Sequence, residues 1–132
     1  MSEPRWVPKH LALRWHARLL ERYGGAAGVR DEGLLEAALA RPRTIAGYEP
    51  DAPLARLAAA YAYGLTQNHP FIDGNKRTAF AVLVSFLAAN GFKLDVSEQE
   101  ATRVMLALSA RTIAEADLAE WLIANGAPDK QP

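Results

Sequence analysis

The stretch NHPFIDGNKRTAFAVLVSFLAANG, residues 68–91, divides into two unlike halves. Its second half, TAFAVLVSFLAAN (78–90), is apolar on nearly every side of a helical projection. A helix of that kind is surrounded by other elements, so it belongs at the centre of a helical domain. It opens around Gly74 and runs to about Asn90, with Gly91 as its terminator. The first half is different. His69, Asp73, Asn75, Lys76 and Arg77 fall within nine residues, where the chain turns into that central helix. The fold expected from this stretch is all-α, with a polar loop at the mouth of a buried helix.

Working outward, Pro8–Tyr23 carries Leu11, Trp15, Leu19 and Tyr23 at helical spacing, a one-sided helix. GGAAG at 24–28 ends it. Asp31 is placed to cap a short helix that stops near Pro42. Residues 42–53, PRTIAGYEPDAP, hold three prolines and a glycine and are expected to form an exposed loop or flap. A third helix runs from about Pro53 to near His69, because a residue preceding proline disfavours the α region. Ser97-Glu98-Gln99-Glu100 has the capping-box pattern and starts a fifth helix ending near Ser109. Thr112-Ile113-Ala114-Glu115 repeats the pattern before a sixth. Only 44–49 and 92–96 are candidates for short strands, and the tail APDKQP is expected to fray. The sum is one compact bundle of about six helices over residues 1–132, its core within about 8–125, with no repeat or linker.

Composition narrows the function. Fifteen basic side chains balance fifteen acidic ones, so no global basic field points to nucleic acid. Half the residues are hydrophobic, as in a globular domain and unlike a disordered chain. The chain has no cysteine, which excludes disulfides and thiol chemistry and suits a reducing compartment. The N-terminal MSEPRWVPKH has no apolar core and does not resemble a signal peptide. The longest apolar run, Ala79–Ala89, is broken by Ser85 and is too short to span a bilayer. A soluble, cytoplasmic protein without membrane contact is expected.

The chemistry concentrates in HPFIDGNKR. Phe71 and Ile72 are placed to anchor the loop in the core. Gly74 permits an unusual dihedral and close backbone approach. The N–H groups of Asn75, Lys76 and Arg77 then open a helix, an arrangement that attracts anions and phosphate in particular. Lysine and arginine in a first turn oppose the helix dipole, and they make sense there if an anion sits beside them. Asp73 supplies the single carboxylate that magnesium takes when it travels with a nucleotide. His69, at the other end of the turn, suits a general base. Each residue alone has an ordinary explanation: a helix C-cap for His69, a turn for Asp73-Gly74, a cap for Asn75, solvated surface for Lys76 and Arg77. Together they supply the parts of phosphoryl or nucleotidyl transfer.

HPFIDGNKRTAF resembles the signature of the Fic/Doc superfamily, and its Doc (death-on-curing) branch above all. RDEGLLEAALARP at 30–42, AAAYAYGL at 58–65 and FLAANGF at 86–92 look like Doc-type sequence too, so the likeness covers roughly residues 8–125. The resemblance implies a compact helical fold and a division of roles. His69 would activate a target hydroxyl, and Asp73 would ligate Mg2+. Gly74, Asn75, Lys76 and Arg77 would hold the phosphates of ATP, and Phe71 would be the hydrophobic anchor. Adenylyl-transferring Fic proteins read HPFxxGNGR with a further arginine three residues on. Here Lys76 replaces the small glycine and Phe80 stands at the second arginine's place, whereas Pro70 and Gly74 keep the Fic version. Lys76 fills space an α-phosphate would need, and the missing arginine removes a phosphate clamp. Both changes look like Doc, which transfers the terminal phosphate of ATP to a threonine of elongation factor Tu and halts translation. The inhibitory element of many Fic proteins, Ser or Thr four residues before Glu-Gly or Glu-Asn, has no match: Gly28 precedes Glu32-Gly33. The resemblance therefore implies a separate Phd-like antitoxin, whose disordered segment would fold on a groove of this protein.

Two other functions fit the same residues: AMP transfer to a protein hydroxyl, and a non-catalytic binding module that keeps the fold. Elsewhere the sequence is quieter. The 42–53 flap would position a target peptide or simply connect two helices. Trp15 and Trp121 suit core or partner contacts, His10 and His16 are expected at the surface, and Arg103 and Arg111 are weak candidates for a basic rim.

Overall fold

The computed structural model describes residues 3–129. The described residues form six helices: α1 (Lys9–Tyr23), α2 (Glu32–Tyr48), α3 (Leu54–Asn68), α4 (Asn75–Ala89), α5 (Glu98–Ser109) and α6 (Glu115–Ala124). Two three-residue strands, β1 (Phe92–Leu94) and β2 (Gly126–Pro128), form a small antiparallel ladder. The architecture is the all-α bundle expected. No helix among the described residues is long and apolar enough to cross a membrane.

The helix starts follow local chemistry. The Asp31 carboxylate accepts the Leu34 N–H at 2.9 Å, and the Ser97 hydroxyl accepts the Glu100 N–H at 3.1 Å. α6 departs from expectation. Its N-cap is Ala114, which has no side-chain acceptor, and Asp117 instead accepts the Ala114 N–H at 2.7 Å. The Thr112 hydroxyl turns back to the Ala107 carbonyl at 3.2 Å rather than capping α6.

The centre is shared by α3 and α4. α4 buries Ala79, Val82, Leu83, Phe86 and Leu87. α3, whose alanines make no conspicuous stripe in the sequence, is buried still more completely, at 55, 57–62 and 64–66. Small residues here mean close helix packing. A Cβ at Gly64 would lie 3.1 Å from Cα of Ala38, so glycine lets α2 and α3 approach. Tyr61 is fully buried, and its hydroxyl accepts the Val7 N–H at 2.9 Å.

Three expectations change. α2 does not stop near Pro42 but runs on to Tyr48, so 44–48 is helix rather than strand and Glu49 is the C-cap. Pro42 forfeits one backbone donor, yet it is buried, and Ile45 and Ala46 beyond it pack on the core. The exposed flap expected over 42–53 shrinks to a connection of 49–53. An ion cluster secures this end: Glu115, on α6, pairs with Arg41 of α2 and, at 2.9 Å, with Arg56 of α3. The tail is also more ordered than expected. Gly126–Pro128 pairs with Phe92–Leu94, Phe92 opposite Pro128, and Asp129 donates its N–H to the Gly91 carbonyl at 2.8 Å. The tail's last residues, 130–132, lie outside the described residues.

Candidate active site

The polar loop is fixed from both ends of its sequence. α3 closes on His69, which adopts the left-handed region at φ 50°, ψ 55°. A non-glycine residue there is strained by about 1–2 kcal/mol, so neighbours must hold it. Arg30 does so: its Nε donates to the His69 carbonyl at 2.7 Å and its Nη2 to the Asn68 carbonyl at 2.8 Å. A cation on the last carbonyls of a helix also complements its dipole. The backbone beside it is zipped to the loop. Arg30 and Asp31 both donate to the Pro70 carbonyl, Val29 pairs with Phe71 as an isolated bridge, and the Ile72 N–H reaches the Gly28 carbonyl at 3.1 Å.

Phe71 anchors the loop as expected and is fully buried. Ile72 does not; it is 50% exposed, because strand-like alternation across the Val29–Phe71 bridge turns successive side chains to opposite faces. Asn75 closes the turn. Its buried side chain accepts the Phe71 N–H and donates to the Phe71 carbonyl, both at 2.9 Å. That side chain is committed to the loop, and Asn75 offers the site its backbone N–H.

Gly74 is the N-cap of α4, at φ 80°. The first bond of α4 runs from the Thr78 N–H to the Gly74 carbonyl, so the N–H groups of Asn75, Lys76 and Arg77 precede the intrahelical ladder. No acidic residue lies within that first turn of α4. Lys76 makes no ion pair among the described residues. The Arg77 guanidinium lies 4.3 Å from the centroid of the Tyr23 ring.

These groups share one cleft of about 610 Å3 between the N-terminal turn of α4 and helix α5. Its lining comprises Asp73 through Arg77, the apolar Phe80, Ala81, Met105 and Leu106, and the polar Ser97, Glu98 and Thr102. The cleft thus brings together Asp73, Gly74, Asn75, Lys76 and Arg77, while exposed His69 stands outside its lining. Arg103 and Arg111 do not line it; they bond to Glu100 and Gln67.

The Asp73 carboxylate accepts the Gly74 N–H at 2.9 Å and the Ala26 N–H at 3.3 Å. No group of three or more His, Cys, Asp or Glu side chains forms a metal cage among the described residues. This donor set suits magnesium that arrives with a nucleotide, since such an ion takes one or two carboxylates and draws its other ligands from phosphate and water. Asp73 is the residue that would hold it.

The site also contains a residue the sequence did not announce. His16, expected at the surface, is only 5% exposed. Its ring stacks on Phe71 with centroids 3.8 Å apart, and its Nε2 lies 2.8 Å from the Asp73 carbonyl oxygen. A carbonyl only accepts, so Nε2 carries the proton. The inward stripe of α1 is Ala12 and His16, one position away from the Leu11–Trp15–Leu19–Tyr23 stripe that hydrophobicity suggests. That offset is the reason His16 was missed.

Comparisons with known proteins identify the chain's relatives. A Fic/DOC family model matches residues 6–87. Toxin Doc of Mycolicibacterium smegmatis is 48% identical over 73 residues, 54% of this chain and 56% of that protein. The protein kinase doc of Escherichia phage P1 is 35% identical over 90 residues, 68% of this chain and 71% of that protein. The matched region thus spans little more than half of the mycobacterial relative and about seven-tenths of the phage one. With the loop, the α4 turn and the relatives in agreement, the chain belongs to the Fic/Doc family, on its Doc branch.

Proposed function

We propose that this protein is a Doc-type toxin that transfers the terminal phosphate of ATP to a hydroxyl of a protein substrate, elongation factor Tu, and so halts translation. The observation that carries the reading is Lys76 beside Arg77 at the N-terminus of α4, in one cleft with Asp73. Two cations and free backbone donors at a helix start form a seat for phosphate oxygens. Phe80 lines the same cleft, so an apolar ring stands where the adenylyl-transferring pattern has a second arginine. The name of the phage relative, a protein kinase, supports phosphate rather than nucleotide transfer.

In this reading His69 accepts the proton of the attacking hydroxyl as its oxygen bonds to the terminal phosphorus, the bond to the leaving ADP oxygen breaking in line. Arg77 clamps phosphate oxygens with its fork and Lys76 adds a point charge. Asp73 holds magnesium, which when bound neutralises charge on the phosphates. The two relatives with Doc in their names further support a toxin restrained by an antitoxin, for which a Phd-like partner is proposed.

Incubation with elongation factor Tu and ATP labelled at the γ-position tests the reading. Label should pass to the factor with wild-type protein and not with His69→Ala. Transfer of label only from the α-position would contradict it in favour of AMP transfer. Absence of any transfer, together with no binding of ATP and magnesium by calorimetry, would favour a binding module.

A further inference from the structure

We propose that His16 is a positioning residue: with the Gly25–Ala26 turn it forms a clamp, built by α1, that aims the Asp73 carboxylate into the cleft. The inference rests on the reading of Asp73 as the magnesium-holding residue and extends it to residues outside the loop.

Besides the bond from its neighbour Gly74, Asp73 is gripped at two points by α1 and the turn that follows it. Its carbonyl accepts the His16 Nε2–H at 2.8 Å, and its Oδ2 accepts the Ala26 N–H at 3.3 Å. His16 is itself fixed, stacked on buried Phe71 with an interplanar angle of 12°. A buried donor with one acceptor and a parallel ring beneath it has little freedom to rotate. Gly25 completes the clamp by lacking a side chain: a Cβ there would lie 2.7 Å from Asp73 Oδ2, and Gly25 sits at φ +119°. A Cβ built on Gly74, next along the chain, would lie 3.6 Å from Cδ2 of His16, so the turn runs close beside the Nε2 edge of the imidazole. The carbonyl bond fixes the peptide between Asp73 and Gly74, and that peptide sets both the direction of the carboxylate and the start of the α4 donors. Groups that orient a metal ligand typically change metal affinity about 10- to 100-fold when lost.

The test uses the full chain with three variants. His16→Phe keeps a stacked ring but loses the donor; His16→Gln restores an N–H on a side chain of similar reach. Gly25→Ala pushes on the carboxylate and on the Leu20 side chain, at a φ that strains any side chain. Two readouts are taken on each. The first needs no nucleotide: the amide resonances of Ala26 and Gly74 in 15N-resolved NMR. These should shift in His16→Phe and Gly25→Ala and return toward wild type in His16→Gln. The second is the gain in ATP affinity on adding magnesium, measured by calorimetry. It should fall about 10-fold or more in His16→Phe and Gly25→Ala, recover in His16→Gln, and not fall further when Asp73→Asn is combined with His16→Phe. Unchanged Ala26 and Gly74 resonances in folded His16→Phe protein, or an unchanged Gly74 resonance in folded Gly25→Ala protein, would overturn the proposal. If the resonances respond but wild-type protein shows no magnesium-dependent gain, the magnesium role of Asp73 fails while the clamp itself stands.

Discussion

The Asn75 side chain and the Phe71 backbone exchange two hydrogen bonds of 2.9 Å, closing the loop into a ring beneath the α4 N-terminus. Asn75→Ala would leave a buried N–H and a buried carbonyl unpaired. At about 1–3 kcal/mol for each, the variant should lose about 2–6 kcal/mol of stability. Urea unfolding measures this directly; a loss below about 0.5 kcal/mol would mean that the ring is not holding the loop.

Arg30 holds a strained residue. Its two bonds to the Asn68 and His69 carbonyls come from different nitrogens of one planar group. Arg30→Lys supplies charge but not the fork. Both Arg30→Ala and Arg30→Lys should therefore speed amide hydrogen exchange across 69–72, and both should lower phosphate transfer, with the lysine variant rescuing little. Full rescue by lysine would show that charge at the end of α3, and not the geometry of His69, is what Arg30 provides.

Glu100 gives the fold a pH dependence of known sign. The Arg103 guanidinium grips its carboxylate with bonds of 2.9 and 2.8 Å, and the Trp121 indole N–H adds a third at 3.1 Å. Together they hold the Glu100 carboxyl at about 2, below its ordinary 4.5. A carboxylate depressed in the folded state stabilises it above the unfolded value, and the gain disappears as pH falls through the folded value. Arg103→Ala should therefore lower Tm at pH 6, with the gap to wild type closing between pH 4.5 and about 2. A gap that stays constant over that range would assign the loss to packing instead.

The β1–β2 ladder depends on the absence of a side chain. A Cβ at Gly126 would lie 2.1 Å from the Phe92 ring and 3.0 Å from the Leu122 carbonyl. Gly126→Ala should destabilise the protein by about 1–3 kcal/mol, as overpacking does. Combined with Phe92→Ala, which removes the ring, the loss should be less than the sum of the two. Thermal unfolding of the two single variants and the double variant decides this.

Strong local signals in the sequence were sufficient for much of the fold. The all-round apolar face of α4, the Asp31 and Ser97 caps and the Gly91 stop lie where the structure has them. What escaped the sequence is what long-range packing decides. Pro42 stays inside α2 because it is itself buried and Ile45 and Ala46 beyond it pack on the core. β2 exists because the Phe92 ring covers Gly126, and three residues are too few for any periodicity to show. The loop chemistry of 69–77 was legible because its residues are adjacent in sequence. His16 was not: it meets Asp73 across 57 positions, and only the fold shows that a polar residue replaces the expected apolar contact on Phe71.

The most direct test of the central claim is intact-mass analysis of elongation factor Tu after incubation with this protein, ATP and magnesium. The account predicts one phosphate-sized addition on a hydroxyl side chain, absent with His69→Ala and with Asp73→Asn. An AMP-sized addition, or an unmodified factor, would contradict it.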